Sequence, residues 1–450
     1  MSRVNSRLGP ARERALNGSP LQPQCRVAAS AAACAVLWLE ALVGCHTAAG
    51  GVVLDFWALG REGEVVQALL PEFERENPGV RVRVQQIPWT AAHEKLLTAY
   101  VGRATPDVAQ LGNTWVPEFV ALAALERLDS LVASSAAVGR AGYFPGIWDT
   151  NVLDSALYGL PWYVDTRLLF YRKDLLARAG FAAPPTTWSA WLAAMRAIKA
   201  QDGQGQFPIF LPTNEWPPPV ILGLQAGSPI LRDGARYGAF TEPSFRRAFG
   251  FYLDLYRTGL APRLGINDVG NIYQEFARGT FAMWITGPWN IGEFRRRTAA
   301  DFQDKWGTAP LAGPDGAASG VSLAGGSSLV LFRASHRKAA AWKLVEFLSR
   351  PEQQIRFYRL TGDLPARTEA WRDSSLAGDE AIHAFWEQLQ RVVPTPQVPE
   401  WELIATRVFD YGEQAIRGGV PADTALVRLD AEVNRILERR RFLLARRAAP

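Results

Sequence analysis

The segment from Val52 to Leu111 most constrains what this chain can fold into, because strand-like and helix-like patterns alternate along it. Val52 to Trp57 reads as a buried strand. Glu62 to Asn77 reads as a helix that places Val65, Val66, Leu69, Leu70 and Phe73 on one side. Pro71 must either kink this helix or open a second one. Asn77-Pro78-Gly79 ends it, and Val80, Val82 and Val84 then alternate with Arg81 and Arg83 in a strand running to Ile87. A helix from Ala91 to Val101, terminated by Gly102, leads to a third strand over 106–111. This order and spacing specify a parallel sheet with helices on its faces. Ligands of such sheets bind beyond the carboxyl ends of the strands. Trp57, Trp89, Asn113 and Trp115 follow those ends.

A second constraint is YGLPWYVDTRLLFY, Tyr158 to Tyr171. Pro161 excludes helix at Leu160. Trp162, Tyr163 and Asp165 then precede an apolar strand, Leu168 to Tyr171. Aromatic faces and a carboxylate at near-alternate positions suit a flat polyhydroxylated ligand, and extended chain here can join two globular units. At 450 residues the chain is too long for one ordinary core. Downstream, helices at 173–180, 187–198 and 244–256 and strands at 207–211 and 280–285 form a second unit. Within it Glu215 and Trp216 sit on a loop, and Gly287-Pro288 precedes Trp289.

The N-terminus constrains location. Residues 1–44 read as a signal peptide, and Leu42-Val43-Gly44-Cys45 after the apolar stretch from Val27 has the form of a bacterial lipoprotein processing site. Cys45 is the expected lipidated residue, with 45–51 as a tether; an ordinary secretory leader or a membrane anchor are the alternatives. With Cys25 and Cys34 in the leader, Cys45 is the only remaining cysteine, so neither an intramolecular disulfide nor a cysteine-based metal site is expected. The leader carries five of the arginines against two acidic residues. The formal charge of +5 therefore falls to about +2 without it, which gives no case for a nucleic-acid partner.

Five segments, in order and at consistent separations, resemble the bacterial extracellular solute-binding proteins of family 1, the sugar-capturing components of ATP-driven importers. They are PEFERENPGVRVRV (71–84), PDVAQLGNTW (106–115), YGLPWYVDTRLLFYRKDLLARAG (158–180), FARGTFAMWITGPW (276–289) and WKLVEFLSRPEQQ (342–354). The resemblance spans roughly residues 52–435. It implies an α/β, two-lobe periplasmic-binding-protein-like fold, each lobe a central sheet flanked by helices, with three inter-lobe crossings near Tyr163–Thr166, Val321–Gly326 and Arg372–Gly378. Lobe 1 would be 51–163 plus 325–373, and lobe 2 would be 166–320 plus 376–450. A sugar would bind in the inter-lobe cleft, and a membrane permease would receive it from a monomeric, lipid-anchored binding protein.

Sugar binding needs aromatic faces for the C–H surface of the ring and directional donors and acceptors for its hydroxyls. The positions matching the family's ligand-facing loops are Trp57, Glu62, Trp89, Asn113, Trp115, Trp162, Tyr163, Asp165, Glu215, Trp216, Trp289, Gly325, Gly326, Asp363 and Arg367. Asp363 and Arg367 could instead pair with each other, and Asp165 could make an inter-lobe hydrogen bond. Trp188, Trp191, Trp284, Trp342 and Trp386 sit at core positions. A secreted hydrolase is the competing class, with Asp165 and Glu215 or Glu62 as its two carboxylates; a polyamine or peptide receptor is another. The chain has no G-x-S-x-G, no H-E-x-x-H and no phosphate-binding glycine loop. No catalytic residue, metal or cofactor is expected.

Overall fold

The computed structural model describes residues 51–201 and 205–448. The leader and Cys45 lie outside the described residues.

The first three strands are β1 (Val52–Leu59), β2 (Val80–Ile87) and β3 (Val108–Gly112). Next come β4 (Leu160–Asp165), with Pro161 as its second residue, and β5 (Leu168–Arg172). They are followed by β6 (Phe207–Phe210), β7 (Phe281–Thr286), β8 (Trp306–Ala309), β9 (Gly325–Leu331) and β10 (Leu364–Pro365). Two sheets result. One has six strands in the order β10-β4-β9-β3-β1-β2, and the other has four in the order β8-β5-β7-β6. β1 runs parallel to β2 and β3, as the strand–helix alternation requires, while β9 is antiparallel to β3 and β4.

Local chemistry explains the elements. All five residues of β3 are buried, the pattern of a strand covered on both faces. β2 closes one edge, and its Arg83 reaches back to Asp55 on β1 at 2.6 Å. Between them the helical segment is divided: α1 (Gly60–Val65) and α2 (Leu70–Glu76) are separated by a short 3-10 turn. Pro71 stands in the first turn of α2, where its missing N–H costs no hydrogen bond. The next helix, α3 (Trp89–Val101), begins two residues after β2. In the four-stranded sheet, alternation along β5 sends Leu169 and Phe170 to opposite sides. Leu169 joins a core with Trp191, Phe249 and Trp401, and Phe170 stacks on Phe294 and Trp306.

The chain changes sheets at Thr166–Arg167, between β4 and β5, and returns between β8 and β9. On that return Ser322–Leu323 pairs with Val392–Val393. It leaves the large sheet again after β10 for a helix at Glu380–Leu389, whose Phe385 packs on Phe170. Among the described residues no helix is long and apolar enough to cross a membrane.

Candidate functional site

A cavity of about 540 Å³ opens between the two sheets. From the large sheet its wall is built at the carboxyl ends of β1, β2 and β3. Gly60 follows β1 with a φ of +46°, and a side chain there would strike the Trp89 ring at 2.7 Å. The turn delivers Glu62, only 8% exposed, to the cavity floor. Tyr163 donates its hydroxyl to Glu62 Oε1 at 2.8 Å, and the Trp89 indole N–H donates to the same atom at 3.2 Å. Behind them Gln110, fully buried, accepts from the Leu59 amide at 2.8 Å. Its amide N–H donates to the Tyr163 hydroxyl at 3.2 Å, and Ser327 donates to that hydroxyl at 3.0 Å. Burial, reinforced by the Glu62 charge, raises the Tyr163 pKa well above its ordinary value, so the phenol stays a donor. Glu62 is thereby held in one orientation by a satisfied buried network.

Asp165 ends β4 opposite Gly325 on β9, and its carboxyl oxygen lies 2.3 Å from where a Cβ on Gly325 would stand. Any other residue at 325 would displace it. Burial raises the Asp165 pKa, and the Arg167 charge opposes that rise. Asp363 approaches from the turn before β10. Burial first, then the Glu62 charge, pushes its pKa up to about 7.

Asp363 gives a stability prediction with a definite sign. The folded protein binds this proton more tightly than the unfolded chain, so the contribution is complete below about pH 4. It is lost as pH rises through about 7, on the order of 1.4 kcal/mol for each unit of pKa difference. Asp363→Asn is expected to flatten the fall in stability between pH 4 and 7 seen by denaturant unfolding. Identical slopes for the two proteins would contradict the burial of this carboxyl.

The second half of the cavity is aromatic. Trp115 packs edge-on to Trp89 with centroids 5.7 Å apart. Trp216, just before α4 (Pro217–Gln225), and Trp289, the first residue of α5 (Trp289–Arg297), come from the small-sheet side. Trp289 is 42% exposed, and the Arg167 guanidinium lies over its ring at 4.6 Å. The two sides also touch directly. Asn113 donates to the Ala324 carbonyl at 2.8 Å. Thr114 donates to Glu402 at 2.6 Å, on α6 (Trp401–Ile416).

Eleven of the fifteen positions named from sequence line this cavity: Glu62, Trp89, Asn113, Trp115, Tyr163, Asp165, Trp216, Trp289, Gly325, Gly326 and Asp363. Four do not. Trp57 packs beside α3 with Lys95 over its ring. Trp162 is 1% exposed and stacks on Phe357 with centroids 4.4 Å apart, so it is a core residue. Glu215 stands behind the wall, 4.0 Å from Arg167. Arg367 is buried, donating to the Ala137 and Ser349 carbonyls and pairing with Glu369 rather than Asp363. Sequence reasoning missed Arg167, Thr114 and Thr395, which also line the cavity. Arg167 carried a usable signal, standing two residues after Asp165 at a change of sheet.

The model of the bacterial extracellular solute-binding protein family matches residues 57–355. The chain belongs to this family. Among solved structures it is similar to the sugar-binding protein MalE of the phytopathogen Xanthomonas citri. The two are 48% identical with a TM-score of 0.85, over 88% of this chain and 99% of that one. It is also similar to the diacetylchitobiose-binding protein of Streptomyces coelicolor, 25% identical over 86% of this chain and 90% of that protein. The galactooligosaccharide-binding protein of Bacillus subtilis is 26% identical, over 84% of each. Members of the family are binding proteins that serve importers.

Proposed function

We propose that this solute-binding protein captures a mono- or oligosaccharide in the cavity between its sheets and delivers it to an ATP-driven membrane importer. The observation that carries the reading is the composition of the cavity wall. Four tryptophans surround it, and Glu62, Asp165 and Asp363 supply acceptors. Apolar ring faces against sugar C–H surfaces and charged groups at hydroxyls are what carbohydrate recognition needs. The sugar ligands named for the relatives support it. Lobe 1 is taken as 51–163 plus 325–373 and lobe 2 as 166–320 plus 376–450, with closure about the crossings distinguishing loaded from empty protein. Export with lipidation at Cys45 would hold the domain at a membrane surface, where each buried acyl methylene contributes about 0.8 kcal/mol.

A hydrolase reading is less well supported. Glu62 is committed to Tyr163 and Trp89, and Glu215 stands behind the wall beside Arg167. A thermal-shift screen against maltose, maltotriose, galactobiose and diacetylchitobiose, with spermidine and a tripeptide beside them, separates the readings. A sugar at 100 times its Kd should add about 2.7 kcal/mol of stability. Stabilisation by spermidine or the peptide alone, or release of new reducing ends, would overturn the sugar-binding reading.

A further inference from the structure

Among the described residues Arg167 is the only basic side chain lining the cavity, whose wall also carries Glu62, Asp165 and Asp363. Two contacts from different elements hold it, and a third group lies within reach of its charge. Its guanidinium lies over the Trp289 ring of α5 at 4.6 Å. Glu215, just before α4, is 4.0 Å away. Asp165, two residues earlier on β4, feels its charge. The side chain is 20% exposed, and Trp289 keeps 42% of its own surface open despite the stack. A guanidinium on an aromatic face keeps its edge N–H groups free, and it can only donate. The carboxylates of the wall can only accept when ionised.

We propose that Arg167 is a ligand-contacting, specificity-determining residue that donates to ligand oxygens at the Trp289 end of the cleft and excludes cationic ligands. It rests on the sugar-binding reading and refines it. A hydroxyl both donates and accepts, so a sugar satisfies both kinds of group. A polyamine satisfies only the carboxylates, and its charge meets the guanidinium. Glu62, Asp165 and Asp363 offer a cation acceptors on the same wall, and Arg167 is the group that turns cations away.

The test uses the purified protein, Arg167→Met, Trp289→Ala and the double variant. Titration calorimetry is run with maltose, maltotriose, galactobiose, diacetylchitobiose and spermidine. Arg167→Met keeps the apolar stem over Trp289, and its melting temperature should stay near that of the wild type. Its affinity for whichever sugar the wild type binds should fall at least tenfold. That loss should shrink to under threefold in the Trp289→Ala background, because both groups act on one end of the ligand. Spermidine, without effect on the wild type, should bind Arg167→Met measurably. Arg167→Lys, which keeps the charge but not the planar fork, should still reject spermidine while recovering little of the sugar affinity. Sugar affinity within twofold of the wild type in Arg167→Met, fully additive losses, or equal spermidine binding by both proteins would overturn the assignment alone. Silence of the wild type towards all four sugars would overturn the sugar-binding reading and this inference with it.

Discussion

Replacing Trp162 by alanine is expected to remove about 3–5 kcal/mol of folding stability. The ring is 1% exposed, stacks on Phe357 at 4.4 Å and meets Phe56 edge-on at 6.0 Å. Truncation would empty an aromatic-sized volume in the core of the large sheet, where surrounding side chains can relax only in part. Urea unfolding followed by circular dichroism would show a midpoint well below that of the wild type with an unchanged slope. Sugar affinity measured far below that midpoint should change little, because the side chain does not reach the cavity. An unaltered midpoint with lost affinity would return Trp162 to the ligand wall.

Trp289→Ala is expected to do the reverse. The ring is 42% exposed at the start of α5 and folds back over Gly287, so little packing is lost with it. Affinity for the bound sugar should fall about tenfold to a hundredfold, in line with the ~1.5–3 kcal/mol that burying a large apolar side chain contributes. The melting temperature without sugar should stay within a few degrees of the wild type. Titration calorimetry on the two proteins checks it, and equal affinities would remove Trp289 from the site. The two tryptophans together separate core from ligand wall.

Much of the fold was legible in the sequence. The alternation from Val52 to Leu111 gave the parallel β1–β2–β3 arrangement, and the tryptophans past the strand ends marked the cavity edge. What misled was treating neighbouring residues as equivalent. The ladder to β9 breaks between Ser327 and Ser328, leaving Trp162 unpaired beside Tyr163, with ring centroids 6.0 Å apart and both rings on Phe357; Trp162 is covered there, while the Tyr163 hydroxyl reaches on to Glu62. Tyr163 and Asp165 therefore line the cavity while Trp162 is core. Trp57 misled differently: the sequence ends the first strand there, but β1 runs on to Leu59 and leaves the ring within the strand, beside α3. Asp363 and Arg367 looked like a pair because they are close in sequence. In the fold Asp363 faces the cavity, while Arg367 turns under Tyr143 to bind carbonyls from two distant segments. No local pattern announces such contacts. Nor could sequence show the Gln110–Tyr163–Glu62 network, whose bonded pairs are 53 and 101 residues apart along the chain and meet only once β1, β3 and β4 share a sheet.

The central claim is that a sugar is held between the two lobes and draws them together. Small-angle X-ray scattering of the purified protein, with and without a saturating concentration of the sugar that stabilises it, tests this directly. The account predicts a smaller radius of gyration on sugar addition, with the change abolished in Trp289→Ala at the same sugar concentration whenever that concentration lies below the variant's Kd. A sugar that binds with full occupancy and leaves the scattering curve unchanged would contradict it.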